Sequence, residues 1–184
     1  AAMRATLSTA LLHPLCKPAV AAVLLAPLGA LVWGAVNDTL GANPAETLIR
    51  NSGEMTLRGL LLTLAVTPLR VGLGWPELAR FRRLLGLLTF CYAVLHLLCY
   101  AWFDMGLDLA DIVRDIPKRP FVLVGSLAFA LLTLMAATSW NGAIRRLGAR
   151  RWQALQRSVY AVALLAILHF WWMRSGKRNF TEVW

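Results

Sequence analysis

The chain has 184 residues, and hydrophobic side chains make up 59% of them. Its mean hydropathy is +0.61, and a soluble domain of this length could not bury so much apolar surface. The composition therefore predicts an all-α membrane protein, because helices satisfy their own backbone polar groups within lipid. We expect a single transmembrane domain over 1–184. The three cysteines show no CxxC spacing, so the sequence indicates neither a disulfide scaffold nor a zinc site.

Five apolar runs have the length of about 20 residues that crosses ~30 Å of hydrocarbon. They predict membrane spans at about 15–36, 54–73, 84–103, 120–140 and 155–173. No small-residue cleavage site follows the first run, so we expect it to be retained. Between the third and fourth spans, segment 107–116 places its apolar residues three or four apart. This spacing predicts a short amphipathic helix on the membrane surface.

Charge orients the predicted bundle. With five spans, the connections alternate between two sides of the membrane. One side carries eleven Lys and Arg residues against one acid, and the other carries eight of each sign. Because basic loops stay cytoplasmic, the N-terminus is expected inside and the acidic loops outside. This topology accounts for the whole net charge of +10, so the charge does not indicate nucleic-acid binding. An interfacial aromatic belt is predicted from Trp33, Trp75, Trp102, Trp140, Trp152, Trp171 and Trp172.

Two histidines lie inside spans, where an ionisable group usually serves a function. His96 follows Arg83 by 13 residues in the third span, and His169 follows Arg157 by 12 in the fifth. At ~1.5 Å per residue, both rings lie roughly 18–20 Å from the cytoplasmic end. The two spans run the same way, which places both rings at one depth. This predicts that they take the axial positions of one haem iron. The alternative is that each ring only bonds a backbone carbonyl.

Other residues give weaker signals. Arg82 lies 14 residues before His96 and within about 40° of its helix face, at ~100° per residue. Its guanidinium is a candidate partner for a haem propionate or a flavin phosphate; the alternative is an ordinary cytoplasmic arginine. Gly86 is a candidate for the close approach of a ring or a helix. Cys99 is expected to pack, and His13 is expected at the interface.

Five segments together resemble the MsrQ (YedZ) family over residues 28–178. The family is similar in its core to the ferric reductase and NADPH oxidase membrane domains. The segments that carry the resemblance are LGANPAETLIR (40–50), TLAVTPLR (63–70), RRLLGLLTFCYAVLHLLCYAWFDMG (82–106), KRPFVLVG (118–125) and LGARRWQALQRSVYAVALLAILHFWW (147–172).

The resemblance implies the haem-binding membrane subunit of a bacterial periplasmic methionine sulfoxide reductase, located in the inner membrane. It implies a b-type haem, with His96 and His169 at the family's haem-histidine positions and Arg82 at an arginine linked to cofactor binding. Electrons from a quinol or a cytoplasmic flavin reductase would pass to a periplasmic molybdopterin subunit. The chain would then be an electron-transfer subunit of an oxidoreductase. FMN is a further cofactor that the resemblance implies.

The chain departs from the family in two places. Where the family usually has a third histidine on the fifth span, this chain has Gln156. Glutamine is a poor haem ligand, so we expect one haem per chain rather than two. The family also commonly has a sixth span, whereas five are visible here. Since spans three and five are present, we expect the haem site to be preserved.

Two other functions stay open. A self-contained ferric or oxygen reductase would keep the haem, but it is disfavoured because no soluble dinucleotide-binding domain follows the fifth span. A non-redox membrane scaffold would use its histidines structurally and would be colourless when purified. An absorption spectrum of the purified protein separates the scaffold from the two haem proteins.

Overall fold

The computed structural model describes residues 9–176, and no strand occurs in that range. Within residues 9–176, five helices are long and apolar enough to cross a membrane, which confirms the all-α transmembrane fold. They cover Cys16–Val36, Pro44–Leu73, Pro76–Asp104, Pro120–Ala137 and Ala149–Ser175. The charges that the sequence places at 1–8 and 177–184 lie outside the described residues.

The chain divides into two compact units, Ala1–Cys99 and Tyr100–Trp184. The predicted single domain therefore stays a prediction, and each unit is described by itself. The long helices of the first unit are α1 (Cys16–Val36), α2 (Pro44–Leu73) and α3 (Arg82–Cys99), and a 3-10 turn over Pro76–Phe81 leads into α3.

Helix α2 begins ten residues before the predicted span over 54–73. Asn43 caps it, because its side-chain oxygen accepts from the backbone N–H of Glu46 at 3.2 Å. Pro44 occupies the first turn, where a missing N–H costs nothing. The helix ends at Gly74, whose φ of 65° is left-handed. The apolar span is thus the later part of a helix of 30 residues.

Helices α2 and α3 pack as an antiparallel pair through small residues. A Cβ added to Gly59 would lie 2.6 Å from Oγ1 of Thr89, so only glycine permits this approach of the two helices. Further along, Gly86 faces Thr63. Leu60 and Thr89 are almost fully buried, at 1% and 2% exposure. Small residues at such a contact let two membrane helices pack closely without a hydrophobic driving force.

The second unit begins with a π-helical turn over Tyr100–Asp104. Its helices are α4 (Leu109–Lys118), α5 (Pro120–Ala137), α6 (Asn141–Leu147), α7 (Ala149–Gln156) and α8 (Val159–Gly176). Helix α4 confirms the predicted helix over 107–116, with its bounds two residues later. The predicted connection over 141–151 is itself helical in α6 and the start of α7. The predicted span over 155–173 is broken by a turn at 157–158.

Helix α4 is held by its polar side. The Tyr100 hydroxyl donates to Oδ2 of Asp115 at 2.7 Å, and Nε of Arg119 lies 2.8 Å from Oδ1 of the same carboxylate. Asp115 is buried, whereas Leu109 and Val113 are 77% and 67% exposed. Leu109 and Val113 on the apolar side of α4 therefore face outward, as an interfacial helix requires, whereas Ile112 and Ile116 are half-buried.

Candidate functional site

His96 lies on α3 and contacts the backbone of α2. Its Nδ1 is 2.9 Å from the carbonyl oxygen of Ile49. A carbonyl only accepts, so Nδ1 carries the proton and donates. The fully buried hydroxyl of Ser52 lies 3.4 Å from the same nitrogen. It donates a hydrogen bond shared between the carbonyls of Leu48, at 2.7 Å, and Ile49, at 3.0 Å. The ring is thus fixed by two groups on one turn of α2.

Gly53 makes this bond possible. In a helix, side chains lean toward the N-terminus, so the side chain at position i+4 covers the carbonyl at position i. A Cβ added to Gly53 would lie 2.9 Å from Cε1 and 3.1 Å from Nδ1 of His96. Because Gly53 has no Cβ, the imidazole can reach the carbonyl of Ile49.

His169 lies on α8 in the same relation to α5. Its Nδ1 is 2.6 Å from the carbonyl oxygen of Phe121. A Cβ added to Gly125 would lie 2.7 Å from that Nδ1 and 3.0 Å from Cε1. The rings of Phe121 and His169 are tilted by 50° with centroids 6.2 Å apart. The second unit thus repeats the arrangement of a carbonyl, a glycine four residues later and a histidine on the packed helix.

The repeated bond sets the chemistry of both rings. With the proton on Nδ1, the lone pair of the neutral imidazole is on Nε2. Metal-ligating histidines characteristically donate their other ring N–H to a carbonyl, a carboxylate or water, which fixes the tautomer and raises the basicity of the ligand nitrogen. Both rings are half-buried. Each histidine is therefore held in the form that binds a metal through Nε2.

These contacts fit both interpretations from the sequence, since a structural histidine also bonds a carbonyl. His96 belongs to the first unit and His169 to the second, so the shared iron stays a prediction. Between residues 9 and 176, no group of three or more His, Cys, Asp or Glu side chains could hold a metal ion.

The other predicted residues are placed as follows. Arg82 is exposed at the first residue of α3. Gly86 faces Thr63, but an added Cβ would make only an ordinary contact of 4.0 Å, so this position does not require glycine. Cys99 is buried, as expected of a packing residue. His13 is exposed, and its Nδ1 accepts from a backbone N–H at 3.2 Å.

Gln156 ends α7 and contacts α5. Its amide nitrogen donates to the carbonyl oxygen of Met135 at 3.2 Å. One turn earlier, the indole of Trp152 donates to the carbonyl of Thr138 at 3.0 Å. Like His169, Gln156 therefore donates a side-chain hydrogen bond to a backbone carbonyl of α5, but from an amide rather than an imidazole.

The sequence analysis missed the residues around each imidazole. The histidines are contacted by residues more than 40 positions away in the chain, namely Gly53, Gly125 and Ser52. No local sequence pattern indicates such contacts. Arg174, one of the eight basic residues that the predicted topology places on the outer side, is only 5% exposed, and its Cζ lies 5.1 Å from the centroid of the Phe170 ring. A lone arginine after an apolar run gives no signal of such burial.

An open hollow of about 530 Å³ lies beside the His169 contact. It is lined by Pro120, Phe121, Trp172 and Ser175.

Comparison with known proteins gives consistent matches. The family model described as "Ferric reductase like transmembrane component" matches residues 52–167. A Polaromonas naphthalenivorans (strain CJ2) protein is 60% identical over 94% of this chain and 79% of its own length. A Herminiimonas arsenicoxydans protein is 49% identical over 86% and 72%, and one from Bordetella pertussis is 49% identical over 90% and 80%. All three are named "Protein-methionine-sulfoxide reductase heme-binding subunit MsrQ". No solved structure matches the chain.

Proposed function

The chain belongs to the MsrQ family of protein-methionine-sulfoxide reductase heme-binding subunits, and from this membership we propose that it carries electrons across a bacterial inner membrane to a periplasmic molybdopterin reductase subunit. That partner reduces methionine sulfoxide in oxidised envelope proteins. The observation that carries the proposal is the matched pair of imidazoles, each held with its proton on Nδ1 by a backbone carbonyl.

The residues fit a b-type haem. A haem, when bound, supplies an iron that takes up and releases one electron at a time. His96 and His169 would hold it through Nε2, since both Nδ1 atoms donate to carbonyls. Their equal predicted depth supports one shared haem per chain. The chain has no CxxCH segment, so covalent attachment is not expected.

The direction of transfer follows from the charge asymmetry. Electrons enter from a quinol in the bilayer or from a cytoplasmic flavin reductase, and they leave on the opposite, near-neutral side. The N-terminus is cytoplasmic by the distribution of Lys and Arg between the two sets of connections. The outer half of the membrane, where both histidines are expected, suits delivery to a periplasmic partner.

Arg82 is the proposed cationic partner at the cytoplasmic edge. It is exposed at the start of α3, where a guanidinium can bond a propionate or the phosphate of an FMN in bidentate fashion. FMN is therefore a second proposed cofactor. Its binding rests on the family resemblance and on this one arginine.

The proposal is tested on the full chain, purified in detergent after expression with added haem precursor. Oxidised and dithionite-reduced absorption spectra should be those of a low-spin b-type cytochrome, and the haem should extract into acid acetone. In vesicles, quinol should reduce the protein, and the periplasmic molybdopterin subunit with methionine sulfoxide should reoxidise it. A colourless protein would support the non-redox scaffold instead.

A self-contained ferric reductase is the second candidate, and the family match over residues 52–167 favours it. It predicts that the reduced protein transfers electrons directly to ferric chelates at a rate independent of any periplasmic subunit. Reoxidation by methionine sulfoxide only when the molybdopterin subunit is present would reject this candidate.

A further inference from the structure

We propose that Gly53 and Gly125 are positioning residues for the two ligand histidines, each keeping one carbonyl open to an imidazole Nδ1–H. The inference rests on the proposed function of His96 and His169 as haem ligands. It adds that the ring orientation and electron donation of each ligand are set by a glycine on the packed helix.

The first observation is that the same arrangement occurs once in each unit. His96 contacts the carbonyl of Ile49 and lies against Gly53. His169 contacts the carbonyl of Phe121 and lies against the glycine four residues later. A general need for close packing would not place both glycines one turn after the carbonyl that the histidine uses.

The second observation is the size of the overlap that a methyl group would create. An ordinary van der Waals contact begins at 3.4 Å, whereas a Cβ on Gly125 would lie 2.7 Å from Nδ1 of His169. The ring would have to move by about 0.7 Å, and the bond to the carbonyl is only 2.6 Å long. For Gly53, the closest ring atom is Cε1 of His96 at 2.9 Å. The displacement there is about 0.5 Å, on a bond that starts at 2.9 Å, so both bonds would be stretched to a length at which hydrogen bonds are weak.

The consequence for a bound iron follows from the role of the Nδ1–H bond. Donation to a carbonyl makes the imidazole a stronger electron donor, which stabilises the ferric state. A ring pushed off its carbonyl is a weaker donor and is less well oriented. Loss of such an outer contact typically lowers metal-site affinity by about 10- to 100-fold. The midpoint potential should rise at the same time.

The chain offers matched controls in the first unit. Gly59→Ala creates a comparable overlap on the same helix, at 2.6 Å, but against Thr89 rather than a histidine. Gly86→Ala adds a methyl group in ordinary contact, at 4.0 Å from Thr63. If displacement of the packed helices alone changes the haem spectrum, Gly59→Ala should show the same change. If replacing any helical glycine by alanine changes the haem spectrum, Gly86→Ala should show the change as well.

The experiment compares the four variants with the wild-type holoprotein by haem titration of the apoprotein, electron paramagnetic resonance of the ferric state and redox titration. Gly125→Ala and Gly53→Ala should each bind haem about 10- to 100-fold more weakly, shift the low-spin signal and raise the potential. The two control variants should keep the wild-type signal and potential, even where Gly59→Ala lowers thermal stability.

Three outcomes would overturn the inference. If Gly125→Ala and Gly53→Ala keep the wild-type signal and potential, the glycines do not position the ligands, although the proposed function stands. If Gly59→Ala changes the haem signal as much as Gly53→Ala, simple displacement of α2 explains the effect. If the wild-type protein binds no haem, the proposed function fails, and this inference fails with it.

Discussion

Replacing each histidine by alanine should separate haem binding from the stability of the bundle. His169→Ala removes the bond to the Phe121 carbonyl, which is 2.6 Å long. Hydrogen bonds between membrane helices contribute about 0.6 kcal/mol on average and up to about 1.7 kcal/mol. That loss is too small to unfold the bundle, so the variant should insert in the membrane and still lose its haem.

The two variants should differ in stability. In His96→Ala, the Ile49 carbonyl keeps its share of the Ser52 hydrogen bond, which is divided between Leu48 at 2.7 Å and Ile49 at 3.0 Å. In His169→Ala, the Phe121 carbonyl loses the shorter of the two imidazole bonds, 2.6 Å against 2.9 Å. The apoprotein of His169→Ala should therefore lose more stability than that of His96→Ala, by a few tenths of a kcal/mol to about 1 kcal/mol.

The free energy of unfolding of the haem-free proteins is measured in mixed micelles by tryptophan fluorescence. The haem content of each variant is measured separately by pyridine haemochrome. His13→Ala is the control, because that ring is exposed and accepts a hydrogen bond from the backbone N–H of Leu15 in its own turn. The reasoning is refuted if His169→Ala keeps an unchanged low-spin spectrum. It is also refuted if either apoprotein fails to insert, since the histidine would then be structural first.

Three further predictions concern residues outside the imidazole contacts. The wild type should contain about one haem per chain, measured by pyridine haemochrome against protein mass, because Gln156 provides an amide where a second haem needs an imidazole. A ratio of two haems per chain would contradict this prediction. Gln156→His should raise the ratio or add a spectral component. Arg82→Gln should leave the circular dichroism spectrum unchanged because the side chain is exposed. The same variant should bind FMN or the haem propionate more weakly in titrations, and Arg82→Lys should recover only part of the lost affinity. If Arg82→Gln binds as tightly as the wild type, Arg82 is not part of the site. Asp115→Asn should speed backbone amide hydrogen exchange in α4 by about 10-fold, because the carboxylate bonds both Tyr100 and Arg119. An unchanged exchange rate would mean that other contacts stabilise α4.

Hydropathy was sufficient to predict the helical fold and the number of spans. It missed the start of α2 because residues 44–53 are too polar to register as membrane sequence, although Asn43 and Pro44 are ordinary signals of a helix start. It also treated 141–151 as a plain connection, where α6 and α7 form short helices. Local capping and turn chemistry set those boundaries, and a window of apolar residues does not detect them.

The candidate ligands were readable from the sequence, whereas their surroundings were not. A histidine in an apolar run is rare enough to be noticed. Its carbonyl and its glycine lie on another helix, and the pairing depends on how two helices pack. Gly86 drew attention because it shares a helix with His96, yet Gly53 is the glycine that contacts the ring. Side-chain contacts across helices are set by packing, which a single sequence does not contain.

The central claim is that His96 and His169 bind one iron through Nε2, and electron paramagnetic resonance of the ferric full-length protein tests it most directly. We predict a single low-spin signal typical of two imidazole ligands, lost in either histidine-to-alanine variant, with one haem per chain. A high-spin ferric signal in the wild type, or a low-spin signal that survives His96→Ala, would contradict the account.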